Sequence, residues 1–474
     1  IKSVAGPGTV ALGTKVLTLI SANDSFSGSI GGSGGSLVLT SGTQTLSGTN
    51  SYTGGTTING GTLIVSGNSS LGASTGNLTM SGTSILDLRG ALAVGNLTMA
   101  SGNTIINTTG SSSFSVSGTA TLGSGITTSG TQTYSGAVTL ITDTSLSTSN
   151  AAVQFAGGVN GAYGLTIANG SGSTTLASVG SVTPLSSLSL TGTGLNTLNG
   201  DINVSGNVNL KGTSRTTTFA ANRAITSTAS SANGNITLGT TNAAYGLTLN
   251  AGSGTVSLLS VGVSDGVMTA NALAYLTITG TGSNLVGGDI STFGDLNLGS
   301  ARTNTIGANR VMGSGSGAMT LGPTELAAGI TLTLGDTGSG NISVVSLTGP
   351  GSGSNANVTF SNSGTVNVSQ AIGTRIGTLW LNKTSGDVSF LGSVAITQLK
   401  MDTGAAYALS MTGATNSIAS FSTTSAFETT GQVTLGDAAT DTFTYSGGAL
   451  SISSPTALSV AGSITTSHAS SGAI

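Results

Sequence analysis

Carboxylic acids are the side chains in this sequence best suited to catalysis, and they are few. Asp and Glu together number 14 among the 474 residues. A hydrolase or lyase needs an acid and a base held on one face. The most closely spaced acidic pairs are Asp289 with Asp295 and Asp437 with Asp441. We interpret both pairs as solvated turn residues and expect no enzyme activity; a catalytic pair is the alternative.

Metal and cofactor ligands are equally scarce. The chain has no cysteine and a single histidine, His468, which we interpret as an exposed residue near the C-terminus. Thiolate and multi-histidine metal sites therefore lack their ligands. Residues 31–36 (GGSGGS) are similar to a calcium-binding glycine-rich repeat, but Ser36 stands where that repeat needs Asp. We expect neither a metal nor a cofactor.

Charge limits the possible partners. Charged residues make up 5% of the chain and the formal net charge is −3, with no basic stripe that would bind phosphates. This composition argues against nucleic-acid binding. No uncharged apolar run reaches about 18 residues, so no membrane insertion is expected. The mean hydropathy is nevertheless positive, which is the opposite of a disordered chain and indicates a buried core.

The elements that must hold this core are predicted to be short strands. Helical spacing of apolar residues is absent, whereas alternating triplets such as 165–167 (LTI) and 247–249 (LTL) recur. Gly, Asn and Ser separate these triplets and favour turns. Alternation places the apolar members toward the core and the intervening Thr outward. The residues predicted to face the core are Leu165, Ile167, Leu247, Leu249, Ile330 and Leu332.

Repeats at two periods predict how the strands are arranged. Residues 76–80 (GNLTM) recur at 95–99, 19 residues later. Longer blocks recur after 82 to 88 residues, as in 162–167 (AYGLTI) and 244–249 (AYGLTL). The longer period corresponds to about four coils of roughly 21 residues each.

Such repeats predict an all-β chain folded as a parallel β-helix, a β-solenoid that forms a single elongated rod. We expect about 20 to 22 coils, each adding about 4.8 Å. The difference between the two periods predicts a loop insertion after Gly262, around residues 265–270. We divide the chain into an N-terminal strand or cap segment (1–40), a repeat-built solenoid (41–400), and C-terminal coils with a tail (401–474).

Two pairs of residues occupy matching repeat positions. Asp201 and Asp289 each follow a glycine, and we favour an Asp that accepts a hydrogen bond from turn backbone over a repeated ligand site. Tyr163 and Tyr245 also match. We favour a stacked aromatic ladder at a coil corner for these rings over exposed binding aromatics.

Two stretches resemble repeats of bacterial exoproteins. Residues 46–63 (LSGTNSYTGGTTINGGTL), followed by 67–72 (GNSSLG), resemble the autotransporter-associated β-strand repeat. Blocks from 131–140 (TQTYSGAVTL) onward resemble filamentous-haemagglutinin-like repeats over about half of the chain. The resemblance implies a right-handed parallel β-helix, export across the outer membrane, and an adhesive or fibre-forming role at the bacterial surface. The Asn-Pro motifs of a two-partner secretion domain are absent, which leaves the secretion route open.

The favoured function is a structural subunit of an extracellular bacterial fibre or surface matrix that associates with itself head to tail. Solenoid ends expose rows of backbone hydrogen-bonding groups, and residues 9–20 predict an apolar strand that could pair with the next subunit. The predicted self-association residues are Val10, Leu12, Val16, Leu17, Leu19 and Ile20. The alternative is an adhesin passenger domain that binds a host or surface glycan. A polysaccharide-degrading β-helix is disfavoured because the acids are scattered.

Overall fold

The structure is a computed structural model, and it describes most of the chain. The described residues are 1–67, 71–228, 234–264, 267–268, 272–335, 338–402, 404–422, 426–448, 450–452 and 455–466. They contain strands and no helix, so none of them forms a helix long and apolar enough to cross a membrane. The chain forms two compact units, Ile1–Ala229 and Ser230–Ile474.

The strands of the first unit are short. They are β1 Thr9–Ala11, β2 Val16–Leu19, β3 Ala22–Phe26, β4 Ser29–Gly31, β5 Ser36–Leu39, β6 Gly42–Leu46, β7 Thr56–Ile58, β8 Gly61–Val65, β9 Leu78–Met80 and β10 Ser84–Leu88. Next come β11 Ala91–Val94, β12 Leu97–Met99, β13 Thr104–Ile106, β14 Ser113–Val116, β15 Ala120–Leu122, β16 Ile126–Thr128, β17 Gln132–Tyr134, β18 Val138–Leu140, β19 Thr144–Thr148 and β20 Val153–Phe155. The last are β21 Val159–Asn160, β22 Gly164–Ala168, β23 Thr174–Leu176, β24 Ser187–Thr191, β25 Leu195–Leu198, β26 Ile202–Val204, β27 Val208–Asn209, β28 Thr216–Phe219 and β29 Arg223–Ser227.

The strands of the second unit are longer on average. They are β30 Ile236–Thr241, β31 Leu247–Asn250, β32 Val256–Val261, β33 Val263–Ser264, β34 Val267–Met268, β35 Leu276–Thr279, β36 Ser283–Val286, β37 Ile290–Ser291 and β38 Leu296–Asn297. Next come β39 Thr303–Ile306, β40 Arg310–Gly313, β41 Met319–Leu326, β42 Thr331–Leu334, β43 Ile342–Thr348, β44 Ala356–Phe360, β45 Val366–Val368 and β46 Ile372–Leu381. The last are β47 Val388–Phe390, β48 Val394–Met401, β49 Leu409–Met411, β50 Thr415–Phe421, β51 Gln432–Leu435, β52 Thr442–Tyr445, β53 Ala457–Val460 and β54 Ser463–Thr466.

Parallel pairing between successive coils builds the first unit. Strands β2, β5, β7, β9, β12, β15, β18 and β21 form one eight-stranded sheet. Within it β9 pairs with β12, and Leu78 lies opposite Leu97. The 19-residue repeat of the sequence is therefore one coil, and its two copies are direct neighbours.

The second unit shows the consequence of this register most clearly. One position per coil forms a buried column, and its members, in order, are Leu247, Leu276, Leu296, Met319, Ile342, Val366, Val388, Leu409, Val433 and Leu458. All but the last are exposed by no more than 1%. The next residue in each strand faces outward and is always Thr, Ser or Asn. Stacked aliphatic side chains inside and neutral polar ladders outside thus give the chain a core with very few charges.

The predicted fold is confirmed as a parallel β-solenoid, with its strands stacked in about 20 turns. All six residues predicted to face the core are buried: Leu165, Ile167, Leu247, Leu249, Ile330 and Leu332. The predicted insertion begins with an antiparallel pair, β33 and β34, after Gly262. Residues 265–266 and 269–271 lie outside the described part. The segment boundaries at residues 40 and 400 stay a prediction.

Candidate functional site

The predicted self-association residues lie in the first coil, on or beside β1 and β2. Val10 and Leu17 are partly exposed, Leu12 and Leu19 are buried, and Val16 and Ile20 are more than half exposed. The register explains this division. Val10 lies over the buried Ile30, and Leu17 over the buried Leu37, so both continue core columns. The six residues therefore do not form one outward patch.

The backbone edge of this coil is partly covered. Among the described residues, β1 pairs only with β4 and β2 only with β5. The first two residues run beside β2: the amino group of Ile1 donates to the Thr18 carbonyl, and the Ile20 N–H donates to the Ile1 carbonyl, each over 3.0 Å. No comparable segment of the described chain covers β1. The free edge is thus narrower than the sequence suggests.

The last described coil offers a second edge, which was not found from the sequence. Strand β53 pairs with β51, so that Leu458 lies on Val433 and Val460 on Leu435. The two residues underneath are buried, whereas Leu458 is 39% and Val460 43% exposed. These two side chains continue core columns and are uncovered in the described structure.

The matching acids Asp201 and Asp289 bond to backbone, as predicted. Asp201 Oδ1 accepts the N–H of Ala224, and Asp289 Oδ1 accepts the N–H of Val311, each over 2.9 Å. In both cases the donor lies one coil further along the chain. The side chain therefore joins neighbouring coils where the strand ladder is interrupted.

The same connection recurs along both units. Other Asp and Asn side chains that accept an N–H from the following coil are Asn77, Asn96, Asp143, Asn150, Asn235, Asp295, Asn309, Asn341, Asn357 and Asp387. This is a structural use of the side chains that could have served catalysis. Asp289 and Asp295 bond to different strands rather than to one another.

The pair Asp437 and Asp441 forms a tight turn. Asp441 Oδ2 accepts the N–H groups of Asp437 and Ala438, over 2.8 and 2.9 Å. These two backbone hydrogen bonds hold the pKa of the Asp441 carboxyl below its usual range. A carboxylate stabilised in this way is a poor general base at neutral pH.

The predicted aromatic ladder at Tyr163 and Tyr245 is wrong. Both rings are exposed, by 41% and 42%, and neither contacts another ring in the described part of the chain. Stacking occurs instead inside the core, where Tyr134 and Phe155 are in register with ring centroids 5.0 Å apart. Alternation explains the error, because these tyrosines precede the strand at a coil corner.

A fully buried arginine in each unit escaped notice in the sequence. Arg215 lies after β27 and is 0% exposed. Its guanidinium donates to side-chain oxygens of Asn196, Asn169 and Thr174 and to backbone carbonyls of the two preceding coils. Each of its three nitrogens has a partner, and no carboxylate is among the acceptors.

Arg302 repeats this arrangement in the second unit. Its Nε donates to Asn284 over 2.8 Å, and its two terminal nitrogens reach the carbonyls of Gly252, Gly254, Thr279 and Ser283. The two arginines and their acceptors occupy equivalent repeat positions. We call each set a guanidinium cage. The signal in the sequence was a short motif, Asn-Leu, then Gly-x-x-Arg, in residues 209–215 and 297–302.

Burial lowers the pKa of both guanidinium groups. Arginine starts so far above neutrality that it stays charged at physiological pH. Its charge is stabilised by the dipoles of carbonyl and amide oxygens from three successive coils. The arrangement can therefore hold coils together; it contains no reactive group.

Lys383 is a third buried cation, 1% exposed. Its Nζ donates to the carbonyl and side-chain oxygens of Asn362 and to the carbonyl of Gly364, over 2.6 to 2.9 Å. Burial lowers the pKa of the Lys383 ammonium to about 8, and the nearby Asp387 opposes the shift.

Metal binding finds no clustered ligands in the described residues. Ser36, in the glycine-rich segment, belongs to β5 and pairs with Val16. His468 lies outside the described residues.

Residues 41–65 match a family model described as passenger-associated-transport-repeat. The match confirms the resemblance to autotransporter-associated repeats. In the structure it runs from β6 to β8, which are ladder neighbours, so the matched repeat spans one coil. No curated protein and no solved structure matches the chain. The repeat and the β-solenoid fold fit an autotransporter passenger-like protein and suggest secretion or a surface location.

Proposed function

We propose that this chain is a structural subunit of an extracellular bacterial fibre or surface matrix, and that copies of it join head to tail through β-strand contacts. The role is non-enzymatic and needs no cofactor. Support comes from the passenger-like character of the fold and repeat. It also comes from the side chains themselves, since the acids that could serve catalysis are engaged by backbone.

The observation that carries the proposal is the pair of uncovered edges. Strand β1 in the first coil, and β53 and β54 in the last described coil, each have a ladder partner on one side only among the described residues. A parallel edge of this kind pairs with any strand that is presented to it in register. The first and last coils differ, so the contact would be heterologous, and a heterologous contact that does not close produces a filament.

The apolar columns give the contact a driving force. Leu458 and Val460 at one end, and Val10 and Leu17 at the other, are core-facing side chains that are only partly covered. Stacking one end on the other would bury both sets at about 25 cal/mol per Å² of apolar surface. The strand edge supplies geometry, and the columns supply affinity.

Electron microscopy of the purified full chain over a range of concentrations tests the proposal. We expect filaments, and we expect the double substitution Leu458→Asp with Val460→Asp to abolish them, because charges would enter a dry contact. Leu391→Asp is the matched control, since Leu391 is 49% exposed but lies away from the end coil. Circular dichroism confirms that each variant keeps its β structure.

Two results would overturn the proposal. One is a chain that stays monomeric at every concentration, as expected if the edges pair with other segments of the same polypeptide. The other is a set of filaments indifferent to the end-coil charges. Deletion of residues 1–20 tests the opposite end, and filaments that form without them would place the joint elsewhere.

A further inference from the structure

The second unit carries a polar groove on its outer surface. Four neighbouring strands, β42, β44, β46 and β48, place one outward side chain each in register, in the order Thr333, Thr359, Trp380, Lys400. The groove over this column has a volume of about 590 Å³. Three strand-to-strand steps make it on the order of 14 Å long.

The groove exists because small and large side chains follow one another. Thr333 and Thr359 form its floor, and the indole of Trp380, the single tryptophan of the chain, rises beside them. The Lys400 ammonium lies 3.6 Å from the centre of that ring, and the indole N–H donates to Asp402 over 3.1 Å. These contacts fix the ring while it stays partly exposed.

Neutral hydrogen-bonding groups line the rest. Eight of the ten lining side chains are hydroxyls or amides, and none is a carboxylate. Neighbouring coils orient them: Asn357 Oδ1 accepts the Thr378 N–H over 2.8 Å, and Gln398 Oε1 accepts the Thr378 hydroxyl over 3.2 Å. The Nε2 group of Gln398 has no partner in the described structure and is available as a donor.

This lining selects one class of ligand. An apolar small molecule needs a mostly apolar pocket, and a nucleic acid needs several cations along its backbone. A sugar chain presents hydroxyls at its edges and C–H groups on its ring faces, which suits amides and hydroxyls around one fixed indole. We propose that this groove binds a neutral oligosaccharide segment of a surface polysaccharide. The site is independent of the proposed end-to-end joint.

The single tryptophan makes binding measurable. Titration of the full chain with cellotetraose, maltotetraose and chitotetraose should change the Trp380 fluorescence for at least one of them. By calorimetry, Trp380→Ala should weaken that binding about tenfold or more, and Trp380→Phe should weaken it less. Thr333→Tyr, which keeps the indole but fills the groove, should abolish binding. Phe293→Ala is the control, because Phe293 is a 46% exposed aromatic of the same unit outside the groove.

Three outcomes would overturn the inference. No response to any of the three tetrasaccharides is one, and binding that survives both Trp380→Ala and Thr333→Tyr is another. The third is binding of dextran sulfate alone, lost in high salt, which would reduce the site to the charge of Lys400. None of these outcomes bears on filament formation.

Discussion

Buried cations without carboxylate partners are the least expected residues of this protein. Isolated charges are expensive to bury unless every donor is satisfied. A solenoid can satisfy them, because each coil corner presents carbonyl oxygens at a regular spacing. In both guanidinium cages one arginine contacts the two preceding coils. The cage thus joins three coils through a single side chain.

Removing the cation should therefore destabilise more than removing a surface arginine. We expect Arg302→Met to lower the free energy of unfolding by about 3 kcal/mol, because Asn284 and several carbonyls lose a charged donor. Arg302→Lys should recover little, since one ammonium cannot replace a planar fork of donors. Hydrogen exchange of peptides covering residues 250–310 is the measurement. Arg375→Met is the control, because Arg375 is exposed; equal protection in the two Met variants would contradict the role of the cage.

Lys383 predicts a dependence of stability on alkaline pH. Its pKa is about 8 in the folded chain and 10.5 ordinarily. Between these values the unfolded chain binds a proton that the folded chain does not, so stability rises with pH across this window. Below about pH 8 both states are protonated and the contribution is absent.

Urea denaturation at pH 7.5 and pH 9.5 checks this, with Lys383→Met as the variant that should lack the rise. Measurements should stop near pH 10. Burial raises the pKa of Tyr52, Tyr134 and Tyr407, so above that pH the unfolded chain releases protons that the folded chain keeps, and stability falls. A wild-type chain with flat stability over the window would contradict the prediction.

At the scale of the strand and coil, the sequence was a good guide wherever a side chain's role is set by alternation. Leu247 and Leu249 could be placed in the core because the strand period of two leaves no other choice. The repeat at 76–80 and 95–99 gave the coil length directly. The roles of Arg215 and Arg302 could not be predicted, because their acceptors are backbone carbonyls 19 to 50 residues away, which carry no residue-type signal. The groove at Trp380 escaped for a similar reason, since its lining comes from four coils.

Coil corners also depend on close backbone contact. Gly280 has a φ of +95°, and a Cβ there would lie 2.1 Å from the carbonyl oxygen of Gly252, itself an acceptor for Arg302. Gly280→Ala should destabilise the coil by about 1–3 kcal/mol from backbone strain, with the steric clash in addition. Gly307→Ala should be neutral or slightly stabilising, because that position has open space and no positive φ. Thermal denaturation of the pair tests this, and equal midpoints would contradict it.

At the scale of the whole molecule, the chain depends very little on charge. The described residues contain one side-chain ion pair, between Arg89 and Asp87 over 2.6 Å. The outward columns are Thr, Ser and Asn, and the edges offered by β1, β53 and β54 carry no ionisable side chain. Stability and assembly must then come from backbone ladders and aliphatic stacking, two contributions that respond weakly to ionic strength.

Assembled copies should for this reason persist in salt and chelator. At 1 M NaCl the screening length falls to about 3 Å, which removes attraction between exposed charges and leaves hydrogen bonds and apolar contacts in place. EDTA should be without effect, because no acidic or histidine cluster in the described chain could hold a metal. Urea should disperse the filaments, since it solvates both peptide groups and apolar surface. Sedimentation after each treatment is the measurement, with the Leu458→Asp and Val460→Asp double variant as the unassembled reference. Filaments that dissolve in NaCl or EDTA would mean that charges or ions hold the joint, which contradicts a contact made by strand edges and aliphatic columns.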